Sequence, residues 1–554
     1  IVPVMSANNT RTFYDAVGRP LQTRQYWVSG DFNTIVTDTE YDAFGRVRCA
    51  TAALHSTQKA DFETTLDCDA QPKTVYTYDV TGEQLTVTGY NGAITATQVV
   101  GRKRQVTDGL GNLFVYESDE LGRLLRVRQP VTAAPNWTIS YTYDLADNLL
   151  TATGPNNAVT TMTYDKLGRK LTMNDPDMGF WSYGYDGSGN LARQTDAKNQ
   201  RLCFYYDAAN RPTSKRHDGT GTTPCPAMWG GTLLANYTYH SSGAGKGMPA
   251  SIAGGSGAGA FTDTFAYDFR GRVTTRPRVI GGKPFSLSTT YDDVDRPLVV
   301  TTPTGQLVTY GYEGEFAKTV HAGGQGLLVD DLDYNYRRQL TGIERAGSLP
   351  DTTLFYYDQA ESFRLSEIRH GSTTDAPADF VYGGYDNLGN LEQLTTKRWA
   401  TQDLQTFGYD ALSRLTTATG TGMTGIPTYN HEYTYGPGGN IATRINRTPN
   451  PDLTRIYTNG TPAQHHAHAV MSISGDGMTA SFGYDNNGNM TTRTVNGVAY
   501  TQAFDVENRL TSVMVNGQTT AFYYDADGNR TLTVQPNGTK IYTPFPDYEE
   551  TVPV

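Results

Sequence analysis

The stretch MTYDKLGRKL, residues 162–171, decides the fold because the chain repeats its central phrase many times. The phrase is Tyr-Asp, two further residues, Gly, then Arg or Asn and an apolar residue. Successive Tyr-Asp pairs are 21 residues apart between 143 and 207, and Tyr484-Asp485, Phe504-Asp505 and Tyr524-Asp525 follow one another at 20 residues. A fixed period of about 20 to 50 residues indicates one supersecondary unit stacked many times. The clearest repeat anchors are Tyr143, Asp144, Tyr164, Asp165, Gly168, Tyr185, Asp186, Gly189, Tyr206, Asp207, Tyr484, Asp485, Gly488, Tyr524, Asp525 and Gly528.

Each repeat is predicted to form one β-hairpin. Before the Asp, aromatic residues alternate with Thr, as in Tyr141-Thr142-Tyr143, and a period of two is typical of a strand with one inward face. The Asp favours the first position of a turn because its side chain accepts backbone N–H bonds, and a Gly three residues later can adopt a positive φ. Two strands of about seven residues and two short turns account for the period of about 20. We therefore expect an all-β chain of repeated antiparallel β-hairpins that form a spiralling sheet, because strands twist.

The organisation predicted from this pattern is a single array over 1–554. Irregular inserts are expected near 47–75, 212–262 and 440–478, where the phrase is weak. The best candidate for a helix is Ala50–Thr65 in the first insert. No apolar run approaches the roughly 20 residues that a membrane helix needs, so no membrane span is expected.

The net charge excludes some classes of binding partner, and the first residues of the chain indicate how it arises. A net charge of −11 and a pI near 5.3 argue against a nucleic-acid binder or a protein of anionic membrane surfaces. Residues 1–5 lack the basic and long apolar regions of a signal peptide, and the chain does not start with Met. We therefore expect a fragment or a processed segment of a longer protein.

The four cysteines fall into two local pairs, 19 and 22 residues apart: Cys49 with Cys68, and Cys203 with Cys225. Neither pair has the close spacing of a zinc site. Each pair brackets or follows a repeat phrase, so we interpret the two as disulfides that staple longer loops. Disulfides would imply an oxidising compartment. The alternative is buried free thiols.

Other clusters that could carry chemistry have simpler interpretations. Turns such as Asp525–Asn529 resemble calcium loops, but their Gly is at position four and position twelve is Pro536, where a bidentate Glu is needed. The acidic runs 292–295 and 330–333 are interpreted as solvated turn residues. The histidine cluster, His465, His466 and His468, would need a further ligand to hold a metal and is interpreted as a loop or strand face. We therefore predict no metal, no cofactor and no catalytic residue.

The rows of tyrosine are predicted to set the register of the sheet. Tyr at alternate strand positions, repeated every 20 to 21 residues, favours stacking of Tyr on Tyr across neighbouring hairpins. A second interpretation is an aromatic surface that binds glycans or an unfolded polypeptide. The two interpretations are compatible if the rings cover one face of the sheet.

At these residues the chain resembles the YD-repeat family, also called Rhs repeats. Tyr141–Asp144 and Tyr164–Leu171 match the family pattern, in which Tyr-x-Tyr-Asp-x-x-Gly-Arg-Leu follows a Gly. The resemblance covers nearly the whole chain and implies part or all of a hollow β-shell. In bacterial Rhs proteins and Tc toxins such shells enclose a C-terminal toxic domain, whereas the related teneurins use the shell in cell adhesion.

The resemblance implies structural encapsulation of a polypeptide cargo, a toxin that lies outside this chain, by a secreted or cell-surface bacterial protein. A secretion apparatus or a cell-surface glycan or receptor would be its other partner. The alternative is an extracellular adhesion or surface-filament protein, and a polysaccharide-degrading enzyme ranks below both. Toxin members carry an aspartyl self-cleavage site in an Asp-Pro-x-Gly context. The nearest string here is Asp175-Pro176-Asp177-Met178-Gly179, whose Gly comes one position late, so no enzyme is expected.

Overall fold

The computed structural model shows an all-β protein, as predicted. It describes residues 10–26, 34–52, 54–56, 68–130, 137–221, 223–226, 230–324, 326–335, 337–346, 351–358, 362–371, 378–398, 401–423, 426–448, 451–461 and 466–554. These residues form 48 strands and two 3-10 helices, Cys68–Ala70 and Gly257–Gly259.

In chain order the strands are β1 Thr10–Tyr14, β2 Pro20–Tyr26, β3 Thr34–Tyr41, β4 Val47–Thr51, β5 Leu54–Ser56, β6 Lys73–Tyr78, β7 Gln84–Thr88, β8 Ile94–Val100, β9 Lys103–Thr107, β10 Leu113–Ser118, β11 Leu124–Arg128, β12 Thr138–Tyr143, β13 Leu149–Thr153, β14 Val159–Tyr164, β15 Lys170–Asp175, β16 Gly179–Tyr185, β17 Leu191–Thr195, β18 Gln200–Tyr206, β19 Pro212–Thr220, β20 Thr232–Tyr239, β21 Pro249–Gly254, β22 Phe261–Thr264, β23 Ala266–Tyr267 and β24 Val273–Ile280. They continue as β25 Lys283–Tyr291, β26 Pro297–Thr301, β27 Leu307–Glu313, β28 Phe316–Ala322, β29 Gly326–Tyr334, β30 Leu340–Arg345, β31 Asp351–Asp358, β32 Arg364–His370, β33 Ala378–Tyr385, β34 Leu391–Arg398, β35 Thr401–Tyr409, β36 Leu415–Gly420, β37 Tyr429–Tyr435, β38 Ile441–Asn446, β39 Leu453–Asn459, β40 Val470–Gly475, β41 Met478–Tyr484, β42 Met490–Val495, β43 Val498–Phe504, β44 Leu510–Val515, β45 Gln518–Tyr524, β46 Arg530–Val534, β47 Lys540–Phe545 and β48 Tyr548–Val552.

The repeat phrase forms the predicted hairpin. In β14 and β15, Met162 faces Met173 and Thr163 faces Thr172, and the register shifts at Tyr164. The backbone N–H of Gly168 donates to the Asp165 carbonyl at 3.0 Å, and Gly168 has a φ of +75°. This is a turn followed by a bulge, which needs one residue at positive φ.

The turn also survives where another residue replaces the glycine. At the position of Gly168, other repeats carry Asn210, Ser413 or Asn508, and these residues have φ values of +60°, +57° and +60°. Asn tolerates this region better than most residues, because its short polar side chain bonds locally.

The helix predicted over Ala50–Thr65 is wrong in the part that the structure describes. Leu54–Ser56 forms β5, which pairs antiparallel with β3 so that Val36 faces Leu54. Residues 57–65 lie outside the described residues. A strand is favoured because the edge of β3 offers hydrogen-bond partners, whereas a short helix has to complete a costly first turn alone. The other two inserts, 212–262 and 440–478, also contain regular strands.

The described residues divide into two compact units. The first lies within Ile1–Trp137, Val308–Tyr433 and Asn446–Asp452, and the second within Thr138–Leu307, Thr434–Ile445 and Leu453–Val554. In both units, strands that follow one another in sequence pair antiparallel, as β1 does with β2 and β12 with β13. Each unit therefore contains an early and a late part of the array.

A compact apolar core lies in the second unit, where β24 and β25 meet β46 and β47. It consists of buried side chains from these strands: Ile280, Phe285, Leu532, Tyr542 and Phe545. The rings of Phe285 and Tyr542 lie 5.4 Å apart between centroids. Burying such side chains stabilises the fold by about 1.5–3 kcal/mol each, so this core anchors the late strands on the early ones.

We predict that Gly189→Ala and Gly187→Ala, two changes in one turn, differ in effect. Gly189 has a φ of +90°, whereas Gly187 is not at positive φ and an added Cβ there meets nothing within 4 Å. A left-handed backbone costs a Cβ-bearing residue about 1–2 kcal/mol. Hydrogen exchange of the β16–β17 hairpin should therefore rise roughly 5- to 30-fold in Gly189→Ala only. Equal exchange in the two variants would contradict the turn assignment.

Candidate functional site

The repeat turn is organised around its aspartate carboxylate. One oxygen of Asp165 accepts the backbone N–H groups of Leu167 and Arg169 at 2.8 and 3.0 Å, and the other accepts the Arg169 Nε–H at 2.7 Å. The same three bonds recur where Arg occupies the sixth position, at Asp15, Asp42, Asp119, Asp207, Asp268, Asp292, Asp410 and Asp505. Where Asn occupies that position, its side-chain amide replaces the guanidinium, at Asp108, Asp144, Asp186, Asp386, Asp485 and Asp525. The turn alone accounts for both oxygens.

These bonds favour the charged form of the carboxylate. The backbone N–H of Arg169 is the largest influence on Asp165 and lowers its pKa; desolvation opposes this and the Arg169 side chain adds to it. At Asp207 the largest influence is the hydrogen bond from the Arg211 side chain, which likewise lowers the pKa. A lowered pKa means that the folded turn stabilises the charged form of its aspartate side chain relative to the protonated form.

In seven repeats of the described part of the chain, a tyrosine contacts the preceding repeat through its hydroxyl and its ring, and we call this contact the tyrosine latch. The hydroxyl of Tyr185 donates to the Lys170 carbonyl at 2.8 Å, and the Arg169 guanidinium lies 4.7 Å from the centroid of the same ring. In the latch, the Tyr of one repeat contacts two consecutive residues of the preceding repeat: the Arg and the residue after it. It recurs at Tyr41, Tyr78, Tyr239, Tyr291, Tyr385 and Tyr524.

The latch replaces the predicted stacking of Tyr on Tyr at these positions. A guanidinium over an aromatic face contributes about 0.5–1 kcal/mol at an exposed site, and the hydroxyl bond adds direction. On the opposite face, threonine hydroxyls pair across the hairpin, as Thr163 does with Thr172 at 2.6 Å. Both faces therefore specify register, but through polar contacts more than through ring stacking.

A second group of contacts in the second unit joins residues 247 to 292 positions apart. We call it the seam. Its pairs each join a residue of 177–283 to a residue of 468–550: Asp177 with His468, Asp196 with Asn487, Lys198 with Asp485, Lys215 with Glu507, Arg278 with Asp525, and Lys283 with Glu550. Each pair joins an early part of the array to a late part.

The central seam contacts are well buried. Lys215 Nζ lies 2.5 Å from Glu507 Oε1 and donates to the Ala526 carbonyl at 3.0 Å, and the two charged side chains are 11% and 16% exposed. The buried Asn487 amide donates to Asp196 at 2.6 Å, and its oxygen accepts the backbone N–H of Lys198 at 3.1 Å. Both Asn487 and Glu507 are turn-tip residues, so the late repeats dock through their turns.

The first unit contains contacts of the same kind. The Asn387 side-chain amide donates to the Gly109 carbonyl at 3.0 Å, and an added Cβ on Gly109 would lie 3.3 Å from the Asn387 Cβ. The Arg414 guanidinium lies 4.6 Å from the centroid of the Trp137 ring. Again a late repeat turn meets an early residue.

Several turn tips outside the seam are apolar and exposed. In the first unit these are Val17, Phe44, Val80 and Leu121, and in the second unit Leu145, Leu167, Phe269 and Val294. Turn tips at the seam carry polar residues such as Asn487 and Glu507. Sequence reasoning missed this difference, although it can be seen in the two residues that follow the repeat aspartate.

The predicted histidine cluster belongs to the seam. His468 Nδ1 lies 2.5 Å from Asp177 Oδ2, and His466 Nδ1 lies 2.9 Å from the Asp177 carbonyl, while His465 lies outside the described residues. Asp177 belongs to the Asp-Pro string and lies in the turn between β15 and β16. Within the described part of the chain, no group of three or more His, Cys, Asp or Glu side chains could hold a metal.

The interpretation of the acidic runs as solvated turn residues is wrong for 330–333 and agrees with the structure for 292–295, an exposed turn. Residues 330–333 lie in strand β29, where Lys318 Nζ contacts Asp331 at 2.7 Å. In the run 292–295, Asp292 is a repeat-turn aspartate and Asp295 accepts an Arg272 N–H at 2.7 Å. Both runs form ion pairs with basic side chains, Lys318 with Asp331 and Arg272 with Asp295.

The cysteines are joined in the two pairs expected from the sequence. Cys49 bonds to Cys68 in the first unit and Cys203 to Cys225 in the second, with Cα atoms 6.4 and 5.8 Å apart. The first bond ties β4 to the 3-10 helix Cys68–Ala70, and the second ties β18 to the segment after β19.

Comparisons with known proteins agree with this architecture. Residues 2–99 match a family described as a domain of unknown function, DUF6443, and residues 94–223 match the teneurin YD-shell family. A search of curated protein sequences gives no match. No described helix is long and apolar enough to cross a membrane.

Solved structures match over almost the full chain. Crystal structures of TcdB2–TccC3 and of TcdB2–TccC3–Cdc42 both match with a TM-score of 0.80, at 17% and 16% identity, over 98% of this chain and 31% of theirs. The Tc holotoxin pore of Photorhabdus luminescens, with a TccC3 mutation, matches with a TM-score of 0.82 at 16% identity, over 98% of this chain and 30% of its own. The chain thus spans about a third of the length of these solved chains.

The chain has the antiparallel β-hairpin fold of these Tc toxin structures. Its residues 94–223 match the teneurin YD-shell family, and both findings support the YD-repeat resemblance predicted from the sequence.

We predict that acid weakens the repeat turns. Because the folded pKa of Asp165 is lowered, its contribution to stability is present above the unfolded value near 3.8 and is lost as the pH falls through the folded value. Hydrogen exchange of the β14–β15 hairpin, corrected for intrinsic rates, should therefore lose protection between pH 6 and pH 3. The β7–β8 hairpin, residues 84–100, contains no acidic residue and is the control. Equal losses in both hairpins would contradict the prediction.

We also predict energetic coupling across the seam. In a double-mutant cycle with Lys215→Met and Glu507→Gln, the coupling should be about 1–3 kcal/mol, because the pair is largely desolvated. The matched control is the exposed pair Arg102 and Glu120, 3.4 Å apart, whose coupling should stay below about 0.5 kcal/mol. Hydrogen exchange gives the free energy of opening of each strand. The value for β19 measures the coupling of Lys215 with Glu507, and the value for β9 measures that of Arg102 with Glu120. Coupling at Lys215 no larger than the control would show that the seam pair does not hold the late repeats.

Proposed function

We propose that this chain forms part of a shell that encloses a polypeptide cargo, a toxin encoded outside the chain, until delivery. The observation that carries the proposal is the match of 98% of the chain to the fold of TcdB2–TccC3. The mechanism is confinement: a continuous sheet keeps cargo and solvent apart, and no bond in the cargo has to be broken by this chain.

The contacts of the sheet suit a barrier. The tyrosine latch bonds repeats such as that of Tyr185 to the repeat before them, so these hairpins cannot leave without breaking contacts with their neighbours. In the second unit the seam adds buried ion pairs such as Lys215 with Glu507. Paired and covered strand edges also remove templates for aggregation.

The repeat aspartates support a structural role over catalysis. Their carboxylates accept three hydrogen bonds within the turn, as Asp165 does, and these bonds lower the pKa of Asp165 and of Asp207. A general acid for glycoside cleavage would need a raised pKa. The proposal therefore assigns no enzymatic reaction to the repeat turns.

A secreted or cell-surface location fits the cysteine pairs. Both disulfides, Cys49 with Cys68 and Cys203 with Cys225, need an oxidising compartment to persist. A secretion apparatus, or a glycan or receptor at a cell surface, would then be the second partner of the shell. A nucleic acid is a poor partner for a chain with a net charge of −11.

The second candidate is an extracellular adhesion or surface-filament protein. The match of residues 94–223 to the teneurin YD-shell family favours it. In this case the outer surface of the sheet would bind a glycan or another cell, and no cargo would be enclosed.

Protease protection distinguishes the two candidates. The chain is co-expressed with the polypeptide segments encoded beside it in its gene, purified, and digested at native pH. Encapsulation predicts a segment that co-purifies with the shell and resists protease until the shell unfolds. The variant Lys215→Glu, which opposes Glu507, should expose that segment, and the charge-swapped double variant Lys215→Glu/Glu507→Lys should protect it again.

Digestion of every neighbouring segment at its free rate, with the shell intact, would overturn encapsulation. Saturable binding of the same preparation to glycans or cells would then support adhesion.

A further inference from the structure

A cavity of about 550 Å³ opens in the second unit beside the apolar core. Its lining comes from β24, the turn after β45, the start of β46 and the end of β47. The residues that carry the argument are Arg276, Arg278, Tyr524, Asp525, Arg530 and Phe545. The volume falls within the range of about 300–1,000 Å³ that small-molecule sites occupy.

Arg278 lines the cavity, and four of its five N–H donors are already bonded within the protein. Its guanidinium is 3% exposed, bonds to Asp263 with two nitrogens, contacts Asp525 at 3.0 Å and donates to the Pro544 carbonyl at 2.7 Å. Asp525 Oδ1 accepts the backbone N–H groups of Asp527 and Asn529, and its Oδ2 accepts from Arg278. Most of the hydrogen-bonding capacity of Arg278 and Asp525 is therefore used within the protein.

Arg276 is different. It shares Asp263 with Arg278 through one nitrogen at 3.0 Å, but its Nε is buried and has no hydrogen-bond partner among the described residues. A buried donor without a partner costs about 1–3 kcal/mol, and more when it is charged. The Arg276 side chain is 28% exposed, so the accessible part of its guanidinium can donate to an acceptor in the cavity.

The charge of the lining is also uncompensated. Arg276, Arg278 and Arg530 contribute three positive charges. Asp525 of the lining, and Asp263, which pairs with Arg276 and Arg278, contribute two negative ones. The balance of one positive charge stands out in a chain whose net charge is −11. A ligand with a single negative charge would neutralise it, whereas a cation would find both carboxylates already occupied.

Aromatic rings hold the guanidinium groups in place. The Arg276 guanidinium lies 5.4 Å from the Phe265 ring centroid and 5.7 Å from that of Phe545, and Arg278 lies 5.9 Å from Phe545. A stacked guanidinium loses less freedom when it binds, so the site is preorganised. Phe545 and the neighbouring Pro544 and Pro546 also give the cavity an apolar wall.

We propose that this cavity binds a carboxylate attached to an apolar group, with Arg276 as its principal donor. A free organic acid and an acidic residue next to an apolar one in a peptide share this chemistry. Arg530, which is exposed at the rim, contributes long-range attraction. The proposal does not depend on encapsulation, because it concerns one cavity and not the closure of a shell.

The test uses isothermal titration of the full chain with four probes: 3-phenylpropanoate, its neutral amide, a hexapeptide containing Glu-Phe, and the same peptide with Gln-Phe. We expect saturable binding of the two acidic probes and at least tenfold weaker binding of the two neutral ones. Tighter binding of the peptide than of the free acid would identify a polypeptide ligand, and the reverse a small metabolite.

Two variants locate the binding. Arg276→Gln should weaken the acidic probes roughly 10- to 150-fold, the range expected for a charge-assisted bond. Arg493→Gln is the matched control: its Nε is also buried without a partner and its guanidinium lies 4.4 Å from the Tyr500 ring centroid, but it does not line the cavity. Binding should change less than twofold in that control.

If Arg276→Gln does not fold, the variant Arg530→Gln tests the same binding site. It should weaken the acidic probes and leave the neutral probes unchanged. Equal affinity for acidic and neutral probes, equal loss in the Arg493 control, or no saturable binding by any probe would overturn the proposal.

Discussion

The bond between each repeat's aspartate carboxylate and its own turn is the interaction on which the other contacts of the sheet depend. One oxygen holds two backbone N–H groups and so closes the turn and its bulge. The other oxygen orients the Arg or Asn four residues later, as Asp165 does for Arg169. Because that Arg is fixed, its guanidinium can cover the tyrosine of the next repeat. A local turn thereby becomes a contact between repeats.

The same turns also connect distant parts of the array. At the seam the tips of late turns carry Asn487 and Glu507, which reach Asp196 and Lys215. Turns that do not dock, such as those of Phe44 and Leu145, have apolar and exposed tips. The two variable positions of the repeat phrase thus distinguish its members, while the constant positions build the same hairpin everywhere.

This division of roles explains how a chain with little apolar core maintains a large sheet. Most contacts are polar and are repeated many times, and each contributes about 1 kcal/mol. In a repeat array such nearest-neighbour contributions add along the chain. The compact core around Ile280 and Leu532 supplies apolar burial where early and late strands meet in the second unit. The adjacent cavity departs from the pattern, because its Arg276 Nε lacks the partner that the turn arginines have.

The hairpin, its period, its turn and the residues that can replace the turn glycine could be predicted from the sequence, because they depend on contacts within one repeat of about 20 residues. The partner of Arg169, the contacts of the histidine cluster and the strand Leu54–Ser56 depend on residues of other repeats, so only the folded structure shows them. Tyr185 lies on another hairpin, His468 contacts a residue 291 positions away, and Leu54 follows the free edge of β3 rather than its own helical tendency. Period and spacing describe one repeat and its neighbours, but they do not state which repeats meet after the chain has turned back on itself.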